Sequence, residues 1–314
     1  MSTYLITGGA GFIGSNIAKE LLSRGESVRI LDNFSTGKRE NLNPFRQNPD
    51  FEIFEGDLRS FHIVRDAVKG CDFVLHQGAL PSVPRSVKDP ITSNDVNING
   101  TLNVLEAARE FGVKRVVFAS SSSIYGNSET LPKTESMPVA PLSPYALTKY
   151  AGERYCQIYH QLYGLETVAL RYFNVFGPNQ DPSSQYSAVI PKFIKLISEG
   201  KSPIIYGDGS QSRDFTYVSN NVEANILACT APNVAGQVFN IACGERYTLI
   251  DLVNNINSIL GSNVQPIFET ERVGDVKHSM AGIEKAKDQL GFKIQTSFTE
   301  GLHKLIMAQR PQGR

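Results

Sequence analysis

From Tyr4 the chain reads Tyr-Leu-Ile-Thr-Gly-Gly-Ala-Gly-Phe-Ile-Gly, a short apolar run that meets four glycines within residues 8–14 and then turns into helix-forming sequence. A strand that passes through a glycine turn directly into a helix is the opening of a βα unit. The first half of the chain repeats that alternation. Strands are predicted at Tyr4–Thr7, Ser27–Leu31, Phe51–Phe54, Phe73–His76, Arg115–Ser120 and Thr167–Arg171, and helices near Ile13–Ser23, Ile63–Val68, Ile91–Phe111 and Pro144–Tyr163. Strands alternating with helices require right-handed crossovers, so the expectation is an α/β fold built on a doubly wound parallel sheet covered on both faces. In such sheets a ligand lies beyond the carboxyl ends of the strands.

After Phe173 the texture changes. Residues 174–214 are rich in Gly, Pro, Asn and Ser around one helical run near Ala188–Glu199, followed by a helix at Val218–Cys229, a strand at Gln237–Ile241 and helices at Leu249–Leu260 and Ile283–Leu290. The expected organisation is therefore interleaved: residues 1–173 with about 217–242 form the sheet domain, and about 174–216 with 243–310 form a smaller α/β substrate domain. The chain carries 31 basic and 31 acidic residues and no long basic run, which argues against nucleic acid or a membrane as partner. No apolar run reaches the roughly 18 residues of a membrane span. The four cysteines are scattered and no His/Cys cluster occurs, so no metal is expected and the thiols read as reduced. A strand at the first residues leaves no pattern for a secretion leader, and a cytoplasmic location is expected.

Within the turn, Gly8 permits the tight bend, Gly11 a close approach and Gly14 the packing of the helix, while Phe12 and Ile13 place backbone N–H groups at a helix N-terminus. A pyrophosphate binds to such a cradle. Asp32 ends the second strand, 18 residues after Gly14. A carboxylate there accepts hydrogen bonds from ribose hydroxyls and repels a 2′-phosphate, which points to NAD and a Rossmann-like domain, although Lys38 and Arg39 nearby leave room for some NADP. Asn33 follows it. Asp57 and Leu58 after the third strand, and Gln77 after the fourth, are further cofactor candidates.

The fifth strand ends in Ser120-Ser121-Ser122-Ser123, at the expected ligand edge. Of the 12 tyrosines only Tyr145 has a lysine four residues on, Lys149, so the two side chains share one helix face. Together they fit the removal of a hydroxyl proton while the same carbon loses a hydride. A free phenol has a pKa of about 10, so a base at neutral pH needs roughly 4 kcal/mol of stabilisation of its anion. One cation at about 4 Å in an effective dielectric of about 20 supplies that much, and Lys149 with the positive nicotinamide ring is the expected source. A serine shares the proton, and spacing alone does not choose among the four.

The motifs TGGAGFIG, SSSSIYG, SPYALTK, RYFNVFGP, GDGSQSRDFTYV and ERVGDVKHS together resemble the extended short-chain dehydrogenase/reductase family, and within it the nucleotide-sugar 4-epimerases, over roughly residues 3–308. The resemblance implies Ser121 as catalytic serine, Tyr145 as base and Lys149 as its activator. It implies Asn97 on the cofactor side and Phe173 beside the nicotinamide. Asn174, Arg213 and Arg272 would hold the substrate diphosphate, Asp275 the uridine ribose, and Val189, Lys192 and Tyr206 the uracil. Arginine forks suit diphosphate oxygens. The family also implies a homodimer, through helices at 91–111 and 144–163.

The reaction follows from what is missing. Related dehydratases carry Thr-Asp-Glu where this chain has Ser121, Ser122 and Ser123, and related decarboxylases carry a glutamate in place of Ser123. UDP-glucuronate 4-epimerases need a cation for the sugar carboxylate, whereas Asp181 would repel it. Ser279 stands where epimerases restricted to UDP-glucose carry a tyrosine, leaving room for an N-acetyl group. The expectation is a 4-epimerase acting on UDP-N-acetylglucosamine and UDP-N-acetylgalactosamine, with the non-acetylated pair as alternative or additional substrate. The rival readings are a UDP-glucuronate 4-epimerase, a net oxidoreductase and an idle NAD-binding scaffold.

Overall fold

The computed structural model describes residues 1–181, 189–270 and 277–309. The first half runs β1 (Thr3–Thr7), α1 (Phe12–Ser23), β2 (Ser27–Asp32), β3 (Phe51–Glu55), α2 (Phe61–Val68), β4 (Phe73–His76), α3 (Val83–Lys88), α4 (Pro90–Asn94), α5 (Gly100–Glu110), β5 (Arg115–Ser121), α6 (Pro144–Tyr163) and β6 (Thr167–Tyr172). The predicted helix Ile91–Phe111 is divided. Between α4 and α5, Asp95–Asn99 form a π-helical turn, a distortion that often marks a functional site. α3 has no counterpart in the sequence reading, because six residues containing a proline leave no periodicity to detect.

The second half runs β7 (Val175–Phe176), α7 (Val189–Ser198), β8 (Ile204–Tyr206), β9 (Ser212–Arg213), β10 (Thr216–Tyr217), α8 (Val218–Thr230), β11 (Gln237–Ile241), β12 (Tyr247–Thr248), α9 (Leu249–Leu260), β13 (Ile267–Glu269), α10 (Glu284–Leu290) and α11 (Phe298–Gln309). Seven strands form one all-parallel sheet in the order β11-β6-β5-β4-β1-β2-β3. The order reverses between β1 and β4, which opens a crevice at their carboxyl ends. Register sets Thr7 beside both Leu31 and His76, so the turns leaving β1, β2 and β4 meet at one level.

Alternating side chains divide the core into two layers. Ile6, Ile30, Leu75, Val117 and Leu170 face α1 and α8, and Leu5, Leu31, Val74, Val116 and Phe118 face α2, α5 and α6. After Tyr217 the chain returns to the sheet, with α8 against α1 and β11 beside β6. α10 lies within the segment the sequence reading gives to the smaller unit, yet its Ala286 and Leu290 join the same core as α8. A separate core of residues including Phe176, Ile190, Phe193, Phe215, Leu252, Ile256, Phe298 and Leu302 binds α7, α9 and α11 over short strand pairs. Among the described residues no helix is long and apolar enough to cross a membrane.

Candidate active site

A cleft of about 640 Å³ lies at the reversal point of the sheet. Its floor is the β1–α1 turn. Gly8 has φ +66°, and a Cβ there would lie 2.7 Å from the Gly78 Cα on the turn leaving β4. A Cβ on Gly14 would lie 2.5 Å from the Gly8 carbonyl oxygen, so α1 presses on the turn itself. Gly11 meets only that oxygen, at 3.1 Å, and lines the cleft with Phe12, Ile13 and Gly14. α1 has no capping side chain and no acidic residue in its first turn, so its leading N–H groups are available to an anion. The cradle fits the diphosphate of a dinucleotide.

Asp32 reaches the same cleft. Its Oδ2 accepts the Ala10 N–H at 2.9 Å and its Oδ1 the Phe34 N–H at 2.8 Å. Burial raises its pKa, and these two donors oppose the rise. Each oxygen keeps a lone pair for a ribose hydroxyl. Asn33 donates to Asp57 at 2.8 Å, and the Arg59 guanidinium on Asp57 holds that carboxyl well below the usual carboxylate range. Asn33, Asp57, Leu58 and Gln77 all line the cleft. Gln77 accepts from the Tyr172 hydroxyl at 3.1 Å and donates to Asn225 at 2.9 Å. Asp181 also belongs to this cleft and pairs with Lys38 at 3.1 Å. Its charge is therefore answered within the chain, which weakens the expectation that it repels a sugar carboxylate.

The serine strand and the tyrosine helix meet at the inner end of the cleft. Ser143 caps α6 by accepting the Ala146 N–H, Pro144 opens the helix, and the Tyr145 N–H donates to the buried Ser86 hydroxyl at 2.9 Å. Geometry separates the serines. Ser120 donates to Glu153, itself paired with Arg171 in the interior, so its hydroxyl is engaged in fastening β5 to α6. Ser121 accepts from the Ser123 hydroxyl at 2.9 Å, and its hydroxyl is the neighbour that draws the Tyr145 phenol's pKa down against burial. Ser122 lies in the following 3-10 turn.

Lys149 shares the helix face of Tyr145 and turns its ammonium toward β5. Its ammonium donates to the Ala119 carbonyl at 2.9 Å and stands 6.0 Å from the centroid of the Tyr145 ring. Burial lowers its own pKa to about 8, and burial raises the phenol, with the Ser121 hydroxyl drawing it back. The i,i+4 relation shares a helix face, but the lysine chain continues to the end of β5.

Two cofactor-side candidates lie behind the cleft wall. Phe173 is fully buried with Tyr125 and Ile283, away from the cleft wall, and Tyr172 lines the cleft instead. Adjacent residues at a strand end point to opposite sides, and spacing did not fix the parity. Asn97 is buried in the π-helical turn, where its amide binds both Leu80 backbone groups and Thr148, so it holds the Leu80 turn rather than lining the cleft. Sequence reasoning missed His76, which joins Thr7 to Thr101 beneath the turn. Burial, with the Lys149 charge, lowers its pKa to about 3, so it is neutral. Its place at the end of β4 was the available signal.

A second cavity, of about 310 Å³, is walled by Asn174, Val189, Lys192, Tyr206 and Arg213 with Phe176, Phe193 and Leu249 among others. Five candidates separated by up to 39 positions are thus brought together. Ser279 is buried, its N–H donating to the Ser212 carbonyl at 3.0 Å, and lines neither cavity. Arg272 and Asp275 lie outside the described residues.

Residues 4–242 match the NAD dependent epimerase/dehydratase family. A UDP-glucose 4-epimerase of Mycolicibacterium smegmatis is 36% identical over 304 residues, covering 96% of each chain. Among solved structures, a UDP-N-acetylglucosamine 4-epimerase from Methanobrevibacter ruminantium in complex with UDP-N-acetylmuramic acid is 42% identical with a TM-score of 0.93, covering 98% of this chain and 99% of that one. A Thermus thermophilus UDP-glucose 4-epimerase in complex with NAD is 36% identical with a TM-score of 0.86, covering 97% and 98%.

The buried ammonium makes a stability prediction. Because the folded pKa of Lys149, about 8, lies below its unfolded value, its burial opposes folding most at pH values below 8, and the opposition fades as pH rises toward 10.5. Lys149→Met is expected to raise the unfolding free energy at pH 7 by up to about 3 kcal/mol, with the difference shrinking by pH 10. Urea denaturation at both pH values checks it.

Proposed function

Because the chain belongs to the NAD-dependent epimerase/dehydratase family, we propose that it is a UDP-sugar 4-epimerase acting on UDP-N-acetylglucosamine and UDP-N-acetylgalactosamine. The observation that carries the reading is the Tyr145 phenol, in a cleft that fits NAD and under the influence of the Ser121 hydroxyl, with a second cavity that gathers Asn174 and Arg213. When bound, NAD would supply a hydride acceptor and donor and a positive charge.

Tyr145 takes the proton of the 4-hydroxyl, and the Ser121 hydroxyl shares it and orients the sugar oxygen. Lys149, fixed on the Ala119 carbonyl, contributes charge from about the 6.0 Å ring distance. Loss of the C4 hydride to the bound nicotinamide would leave a 4-keto sugar, which turns about its diphosphate link so that the hydride returns to its opposite face as Tyr145 gives back the proton. Turning requires that binding energy be concentrated on the UDP part, with few contacts to the sugar. Arg213 and Asn174, with Arg272, are the anchors we propose for the diphosphate, Asp275 for the ribose, and Val189, Lys192 and Tyr206 for the uracil. Asn33, Asp57, Leu58 and Gln77 complete the NAD site.

The acetylated substrate is favoured by the serine at position 279 and by the likeness to the Methanobrevibacter ruminantium enzyme. Since Ser279 is buried beside Ser212, its influence on substrate size passes through the segment it packs in. A plain UDP-glucose 4-epimerase is the second reading, supported by the likeness to the Thermus thermophilus enzyme. We further propose a cytoplasmic homodimer. α3 and α4 pack beside α6 and expose Val87, Ile91 and Leu147, with Ile91 81% exposed; apolar side chains clustered in this way mark an interface.

Incubated without added cofactor, the protein is expected to convert UDP-N-acetylglucosamine, read by proton NMR at the H4 and anomeric signals. Ser279→Tyr is expected to lower that turnover at least tenfold while sparing UDP-glucose, a difference of about 1.4 kcal/mol in transition-state stabilisation. Turnover of UDP-glucose alone by the unaltered protein contradicts the substrate assignment. Light scattering is expected to give a dimer, and Ile91→Glu with Leu147→Glu a monomer.

A further inference from the structure

We propose that Asp214 is a positioning residue that sets the geometry of Arg213 and Asn174, and through them the affinity for the nucleotide part of the substrate. The proposal rests on the reading of the second cavity as the UDP site.

Asp214 is 0% exposed, and among the described residues no cation pairs with it. Its partners are backbone N–H groups from two separate segments. Oδ1 accepts Cys243 at 3.0 Å, and Oδ2 accepts Gly244 at 3.0 Å and Ala281 at 3.1 Å. Its own carbonyl accepts the Asn174 side-chain amide at 3.4 Å. One residue therefore ties together β9, the turn leaving β11, the stretch after His278 and the turn leaving β6.

Two of these four segments supply the cavity wall. Arg213 immediately precedes Asp214, and its Nη1 donates to the carbonyls of Ser212 at 3.0 Å and Lys277 at 3.2 Å. Asn174 has φ +32°, in the left-handed region that asparagine tolerates better than most side chains. Its carbonyl accepts the Thr216 N–H at 3.2 Å, and its amide reaches Asp214, so both ends of this strained residue are held from the 214–216 stretch.

A carboxylate suits this place because it only accepts. A carboxamide has one accepting oxygen and would turn its NH₂ toward at least one of the three backbone donors. Burial pushes the Asp214 carboxyl up to about 7 against the pull of those donors, so the group is carried at a burial penalty. Three converging acceptor bonds give that penalty a geometric purpose.

In the NAD-bound enzyme, Asp214→Asn is expected to raise KM for UDP-N-acetylglucosamine at least tenfold while kcat changes less than about threefold and bound NAD stays at the unaltered level. Ala281→Pro removes one donor to Asp214 and leaves the Lys133–Met280 and Gly282–Lys133 backbone bonds in place. It is expected to raise KM in the same direction by a smaller factor, and it decides the matter if Asp214→Asn does not fold. A KM within twofold of the unaltered enzyme, or a loss confined to kcat, overturns the proposal. Calorimetry with UDP separates the two levels. Failure of the unaltered protein to bind UDP overturns the reading of the cavity and the proposal with it, whereas equal binding by both proteins overturns the proposal alone.

Discussion

The approach of α1 to the turn that precedes it sets the rest of the site. With Gly14 against the Gly8 carbonyl and Gly8 against Gly78, three backbones meet where side chains would separate them. That contact brings the N-terminus of α1 level with the ends of β2 and β4, so Asp32 and Gln77 join the same cleft. His76 reinforces the junction from below through Thr7 and Thr101. A methyl group at Gly8 or Gly14 has no flexible neighbour to displace, because the obstructing atoms are backbone.

Much of this was legible in the sequence, for reasons that differ by element. Alternating apolar runs and glycine turns signal a parallel sheet, since each strand end must pass into a helix, and all six strands predicted for the first half are present. Four of them continue one residue further, which carries Asp32, Ser121 and Tyr172 into the strands themselves. What escaped depends on direction rather than position. The parity that buries Phe173 and exposes Tyr172 to the cleft is decided by packing against Tyr125 and Ile283, far away in sequence. Strand pairs of two residues, such as β9 with β12, have no periodicity to recognise. The gathering of Val189, Tyr206 and Arg213 around one cavity came from the resemblance, not from local pattern.

The site also shows where stability yields to chemistry. Lys149 is held charged in the interior, and Asp214 is buried with no cation paired to it among the described residues. By contrast, Glu153 and Arg171 are buried as a pair, joined to Ser120 and Tyr125, and fasten the serine strand to the tyrosine helix. Removing one member of such a pair typically costs about 3–5 kcal/mol, because the other is left buried alone. The uncompensated groups lie beside the two cavities, and the compensated pair lies behind them. In the protein's own field burial raises Tyr145, so a base at this position depends on positive charge delivered with the cofactor and on the Ser121 hydroxyl.

The central claim is that one carbon of the sugar loses and regains the same hydrogen within a single bound complex. Its most direct test uses UDP-N-acetylglucosamine carrying deuterium at C4, mixed with unlabelled substrate and no added NAD. The account predicts product in which deuterium stays at C4 of the molecules that began with it, as read by mass spectrometry and NMR. Deuterium lost to water, or turnover that consumes NAD in proportion to sugar, would contradict it.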